Sequence, residues 1–249
     1  MTTLKQMTTA ACIALATGAA QPASAQSTGW SYEGTLYLFM PRTDTTIGTA
    51  AGPIESSLSF SDALDNLDMA FMGGFAATNG KWSFLLDYMY YDLGFNSAVA
   101  DPAYSGLDTS VKTQIMNGYV AYRVYEDPSA AIDLAGGFRW FDTDTTLRLQ
   151  PGTSPGRSAS SDDSWVDPVI GLRARVRLAD RWTGTGFFDY GGFSDDSETW
   201  QALVTVDDAL TDNWLLRGGY RYISVDHTTD GSRFQFSQSG PILGAAYRF

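Results

Sequence analysis

The sequence predicts an all-β fold, a transmembrane up-and-down antiparallel β-barrel of about ten strands, and three observations carry that prediction. Apolar and polar residues alternate at period two through a long series of segments. Beyond the first 25 residues nothing approaches the roughly 18 consecutive apolar residues of a membrane helix. The chain is nonetheless rich in rings and glycine, with 13 Tyr, 14 Phe, 7 Trp and 25 Gly among 249 residues, as expected where strands meet lipid between aromatic girdles.

At the N-terminus, Lys5 precedes an Ala-rich apolar stretch from about Met7 to Ala20, which ends at Ala23-Ser24-Ala25, a small-x-small cleavage signature. Residues 1–25 therefore read as a secretory signal peptide, because the apolar part is too short to cross about 30 Å of hydrocarbon as a helix. Cys12 is no lipoprotein cysteine, since apolar residues continue after it. Cleavage would leave residues 26–249 as one barrel domain without a thiol, which excludes thiolate metal sites and cysteine nucleophiles. It would also leave 15 basic against 28 acidic residues, and with a pI near 4.3 this excludes nucleic acid as a partner.

The strands follow in order. Trp30, Tyr32, Leu36, Leu38 and Met40 share one face, with Glu33 and Thr35 on the other. Met69, Phe71, Gly73 and Phe75 run to Asn79-Gly80, a type I′ hairpin signal, and Trp82, Phe84, Leu86, Tyr88 and Tyr90 return. Met116, Val120, Tyr122 and Val124 lead through Glu126-Asp127-Pro128-Ser129 into Ile132, Leu134, Gly136, Phe138 and Trp140. Val166, Ile170, Leu172, Ala174, Val176 and Leu178 alternate with Asp167, Arg173, Arg175 and Arg177, and Asp180 turns the chain into Trp182, Gly184, Gly186, Phe188 and Tyr190. Trp200, Ala202, Val204 and Val206 precede a turn at Asp212-Asn213, Trp214, Leu216, Tyr220 and Tyr222 follow it, and Leu243, Ala245, Tyr247 and Phe249 close the series.

Ten such segments return both termini to one side, as closure requires. Eight or twelve strands are the alternatives, because residues 46–60 could form a further hairpin and 144–149 could extend a strand. The joins near 78–81, 125–129, 179–181 and 207–213 are short; those near 41–66, 95–110 and 143–164 are long. Short periplasmic turns and long outer loops are the expected asymmetry. Trp30, Trp82, Trp182 and Trp214 open strands beside the short turns, while Trp140, Trp165 and Trp200 stand beside the outer connections, so the tryptophans read as two membrane girdles.

The terminal Gly244-Ala245-Ala246-Tyr247-Arg248-Phe249 resembles the C-terminal assembly signal of bacterial outer-membrane β-barrels, carried by Tyr247 and Phe249. Ser59-Phe60-Ser61-Asp62 to Asn66-Leu67, and Trp165-Val166-Asp167-Pro168 with Gly171-Leu172-Arg173, resemble segments of the small porin-like group of such proteins. That resemblance implies an outer-membrane location in a Gram-negative cell envelope. It also implies insertion by the outer-membrane assembly machinery and contact with outer-membrane lipids and lipopolysaccharide. It transfers no catalytic residue.

Charged residues that alternate with lipid-facing ones must point inward. Arg123, Arg139, Arg173, Arg175, Arg177, Arg217, Arg221 and Arg248 satisfy that rule, as do Glu33, Asp68, Asp87, Asp133 and Asp189. The lumen of this acidic protein is therefore expected to be basic. We read it as a plug in which guanidinium forks pair with carboxylates across a narrow bore; the competing reading is a narrow channel for small anionic solutes. Acids including Asp44, Asp62, Asp108, Asp144, Asp162, Asp163 and Asp226 fall in the outer connections and suggest a solvated rim. No EF-hand spacing occurs, so no metal and no cofactor is assigned. Ser61 and the residues after it read as a capped short helix in the first loop.

The competing class is an outer-membrane hydrolase, a protease or a lipid-modifying esterase, built on His227, the lone histidine. Asp226 or Asp230 would orient it as a general base, with Ser224 or Ser232 as nucleophile. No paired-aspartate motif and no His-x-Ser-Asn pattern supports either family, so the chain is not read as an enzyme.

Overall fold

The computed structural model describes residues 29–49, 52–99, 103–229 and 232–249. The expected signal peptide, Asp230 and Asp101, a further acid of the expected outer rim, lie outside the described residues. Nearly all the rest is one antiparallel sheet of twelve segments: β1 (Ser31–Phe39), β2 (Arg42–Thr49), β3 (Gly52–Leu58), β4 (Leu67–Thr78), β5 (Trp82–Ser97), β6 (Tyr104–Glu126), β7 (Ala130–Pro151), β8 (Arg157–Arg177), β9 (Trp182–Ser194), β10 (Ser197–Ala209), β11 (Trp214–Thr229) and β12 (Ser232–Arg248). A short helix, α1 (Phe60–Asp65), the one helix among the described residues, precedes β4. No helix among the described residues is long and apolar enough to cross a membrane.

Consecutive strands from β4 to β12 pair as hairpins, and β1 joins β4 on one side and β12 on the other, which closes the barrel. Closure is sealed at the termini, where the Phe249 N–H donates to the Tyr32 carbonyl at 3.1 Å and the Tyr32 N–H returns a bond of 3.3 Å. β1 and β2 are two halves of one stave. Both pair with β12, and the break at Met40-Pro41 falls opposite Gly240-Pro241, where prolines lack the donors a ladder needs. Among the described residues β3 pairs with β2 alone. The bore thus has ten staves, with the additional hairpin allowed for in the sequence lying at Arg42–Leu58.

Three expectations are corrected. The joins near 95–110 and 143–164 are not long loops. β6, β7 and β8 run 23, 22 and 21 residues, about twice the 9–11 that cross a bilayer, so the hairpins continue as sheet past the membrane. Alternation of Thr, Ser and Asp there lacks the apolar face by which strands were recognised, yet ladder pairing persists to Leu149↔Arg157. The helix is capped by Ser59, not Ser61, through a bond of 3.2 Å from the Asp62 N–H. The hairpin at Asn79-Gly80 forms, but Gly80 alone takes a positive φ, +88°, while the Asn79 side chain accepts from the Lys81 and Trp82 amides. A type I′ turn needs positive φ at both residues, so this is a looser, side-chain-capped turn.

Outward positions carry Leu36, Phe71, Phe84, Val166, Ile170, Val204, Tyr220 and Leu243, all exposed. In a soluble protein so much bare apolar surface would aggregate; on a barrel wall it is the lipid-facing surface.

Candidate functional site

The site is the bore, where odd-numbered residues of β1 and β5 to β11 and even-numbered ones of β4 and β12 point inward. At mid-height Arg139 and Asp189, both without solvent contact, form an ion pair at 2.8 Å. Arg139 also donates to Asn117 at 2.7 Å and Thr199 at 2.6 Å. Asp189 accepts from Tyr119 at 2.9 Å and Gln201 at 2.9 Å. Asn117 donates in turn to Asp87 at 3.2 Å. Asp87 is held by Arg221, and accepts from the Tyr37 hydroxyl at 2.7 Å. Seven staves are tied together, and each charge of this network, Arg139, Asp189, Asp87 and Arg221, has a counter-charge, which offsets desolvation that would otherwise exclude it.

Toward the hairpin end lies an apolar layer absent from the sequence-based picture of the lumen. Phe39, Met72, Met89, Ile115, Ile223 and Ile242 pack inward, and Tyr91, Leu93, Phe141, Val225 and Phe236 continue the cluster. The signal was present, because these residues keep the inward parity of Arg139 or Arg221. It was masked, because searching the inner face for charge ignores its hydrophobes. Above this layer Trp165 is stacked between Phe141, with centroids 5.2 Å apart, and His227, at 4.2 Å.

Toward the turn end the bore opens into a cavity of about 500 Å³. Arg217 bridges Glu33 at 2.9 Å and Asp207 at 2.7 Å, and Arg248 reaches Glu33 at 3.1 Å. Asp133 is shared between Arg123 and Arg173, the latter at 2.7 Å. Arg175 lines the cavity with no ion pair among the described residues.

Most predicted lumen charges therefore meet within one network or cavity: Arg123, Arg139, Arg173, Arg175, Arg217, Arg221, Glu33, Asp87, Asp133 and Asp189. Arg248 joins them from the half-exposed rim of the cavity, where it pairs with Glu33. Two predicted residues do not. Arg177 is exposed at the turn-end mouth, where β8 stops. Asp68 is exposed because the β4–β5 register shifts between Leu67 and Met69, which breaks the alternation on which its placement rested. Asp167 is buried inside, on the face where its alternation with Val166 and Ile170 puts it with Arg173, although it is not among the acids assigned to the lumen from the sequence; Asp207, which the sequence puts in a turn, is also buried inside because β10 runs on to Ala209.

Of the tryptophans, Trp82, Trp182 and Trp214 are exposed on the outer wall, Trp30 stacks on outward Phe84, Trp200 on Tyr222, and Trp140 bonds Ser164. Trp165 is not in the girdle. It shares the parity of Asp167, to which its indole donates at 3.1 Å, so strand alternation turns it inward. Tyr247 and Phe249 stack at 5.9 Å beside Tyr32.

Around His227 the proposed catalytic groups do not converge. Its Nδ1 is buried without a hydrogen-bond partner among the described residues. Asp226, the next residue on an extended strand, faces the opposite way and is bonded to Arg233 and Gln235. Ser224 has that same outward parity, and the position of the Ser232 side chain lies outside what is described. Among the described residues no group of acids, histidine and cysteine is arranged to hold a metal.

No family model and no curated protein matches the sequence. By structure the chain is similar to the outer membrane protease OmpT from Escherichia coli, with a TM-score of 0.62 and 12% identity over 88% of this chain and 96% of that one. The translocator domain of the autotransporter NalP from Neisseria meningitidis matches with a TM-score of 0.45 and 15% identity, over 91% and 90% of the two chains. Ail, the attachment invasion locus protein of Yersinia pestis, matches with a TM-score of 0.39 and 11% identity, over 88% and 98%. At such identity the likeness to OmpT speaks to architecture alone: the chain has the fold of the bacterial outer-membrane β-barrels.

Proposed function

We propose that this chain is an integral, non-conducting barrel of the bacterial outer membrane, inserted after removal of a signal peptide, with its short turns in the periplasm and its extended hairpins outside. The observation that carries the reading is the closed bore. Arg139, Asn117, Asp189 and Thr199, and above them Met89, Ile115 and Ile223, have no solvent exposure, and a pore needs a continuous wet path.

Within the fold, residues 59–67 and 165–173 support grouping with the small porin-like proteins, in size and topology rather than in conduction. The exposed apolar wall would contact lipid, and lipopolysaccharide on the outer side. Phe249 would be read by the assembly machinery. The reading assigns no catalytic role to His227.

Refolded protein in planar bilayers tests this. We expect no ohmic single-channel steps, together with heat-modifiable gel mobility that is lost on deleting Phe249. A stable anion-selective conductance in the wild type would overturn the sealed-bore reading.

A further inference from the structure

The turn-end cavity has features that a mere packing defect would lack. Five guanidinium groups line it, those of Arg173, Arg175, Arg217, Arg221 and Arg248, against three carboxylates, those of Glu33, Asp87 and Asp207. Four of these arginines are engaged by carboxylates, Arg173 through Asp133 just behind the wall. Arg175 is the exception. It has no ion-pair partner, and its Nε is removed from solvent without a hydrogen bond among the described residues. Burial disfavours its charge, and Arg173, two residues away on the same inward face, and Arg123 repel it, offset only in part by the attraction of Asp133 and Glu33. An unpaired guanidinium on a partly enclosed, low-dielectric wall is costly unless an anion approaches it, and its planar fork matches two oxygens of a carboxylate or phosphate.

The remaining wall adds to this. The hydroxyls of Thr183, Thr185 and Thr205 sit near the same region, and Leu85, Phe187 and Leu203 form an apolar back wall. The volume exceeds what a bare inorganic ion fills. We propose that this cavity binds a small organic oxyanion, a phosphate monoester or carboxylate carrying an apolar body, with the oxygens on Arg175 and the body against Phe187 and Leu203. The site is a dead end, because the buried network around Arg139 lies behind it.

Phenyl phosphate and inorganic phosphate, titrated into refolded protein in neutral detergent by calorimetry, test the proposal without any membrane, so the outcome is independent of conductance. The expected result is saturable binding of phenyl phosphate, weakened by salt, with inorganic phosphate binding about tenfold or more weakly because it leaves the apolar wall unfilled. Arg175→Gln should weaken phenyl phosphate about tenfold or more, while Arg177→Gln at the exposed mouth leaves it unchanged. If Arg175→Gln does not refold, phenylglyoxal modification of the wild type supplies the same information. Phenyl phosphate should protect Arg175, and not Arg177, from adduct formation mapped by mass spectrometry. Absence of saturable binding, equal affinity for the two phosphates, equal binding by Arg175→Gln, or no protection of Arg175 would each overturn it.

Discussion

Arg139 on β7 and Asp189 on β9 meet at 2.8 Å with a whole strand between them, and neither side chain touches solvent. The intervening strand permits this because Gly171, paired with Asp189, has no side chain, and a Cβ there would stand 3.1 Å from that of Asp189. The pair therefore fixes the relative height of two staves that share no backbone hydrogen bond.

Removing one partner should be far worse than removing both. Arg139→Ala strands a buried carboxylate and is expected to lower stability by about 3–5 kcal/mol. Arg139→Met combined with Asp189→Leu should recover most of that loss. Urea midpoints of the heat-modifiable band in lipid vesicles check this, and a double variant no better than the single one would contradict it.

How much of this arrangement the sequence discloses depends on the wall in question. Lipid-facing residues such as Val166, Ile170 and Leu172 stand out because nothing but apolar side chains is tolerated there, so period two reports ten staves directly. The inner face obeys no such uniform rule. Its arginines were legible by parity, whereas Met89, Ile115 and Ile223 share that parity and look like any other hydrophobes. Partnership was the least legible property: Arg139 and Asp189 are 50 residues apart, and Arg173 and Ser83 are 90. Only the closed register, with its bulge at Asp68 and its break at Met40-Pro41 opposite Gly240-Pro241, brings them together. Trp165 illustrates the limit, because its residue type suggested a girdle while its parity with Asp167 placed it inside.

The proposed seal has two layers, the polar network and the apolar layer above it, and this redundancy is testable. Ile115→Ala should cost about 2–5 kcal/mol by leaving a void among Met89, Phe141 and Ile223. It should nevertheless remain non-conducting, because Arg139, Asn117 and Asp189 still fill the level below. Ion conductance in Ile115→Ala alone would show that the network is not a barrier.

Asp127 in the β6–β7 turn provides a pH-dependent contact outside the membrane. Its carboxylate accepts from the Tyr125 hydroxyl at 2.5 Å, the Ser129 hydroxyl and amide at 2.7 Å each, and the Ala130 amide at 2.8 Å. The bond from Tyr125, then those from Ser129 and Ala130, hold its pKa well below the usual aspartate range. Because the folded value is depressed, the contribution to stability is fully present above the unfolded value of about 3.9 and is lost as pH falls through the folded value. Protection of the Ser129 and Ala130 amides relative to their intrinsic exchange should persist to below about pH 4 and be lost only at lower pH. Asp127→Ala should lack that protection at every pH, and unchanged protection in that variant would refute the capping role.

Arg175 should behave oppositely to Arg139, although both are inward arginines of one barrel. If every lumen arginine served the plug, truncating either would strand a carboxylate. Arg175 has none to strand: Asp133 is already shared by Arg123 and Arg173, and Glu33 by Arg217 and Arg248. Removing its charge relieves the cost of burying it and the repulsion from Arg173 and Arg123, at the expense of the weaker attraction from Asp133 and Glu33. Arg175→Ala is therefore expected to change the unfolding free energy by no more than about 1 kcal/mol, with the bore still closed. The loss of the long aliphatic stem offsets part of the electrostatic relief, so Arg175→Met should be at least as stable as the alanine variant. The comparison with Arg139→Ala under identical urea conditions makes the measurement internal. A loss at Arg175 as large as that at Arg139 would mean that a carboxylate depends on it, and that the cavity wall is part of the plug.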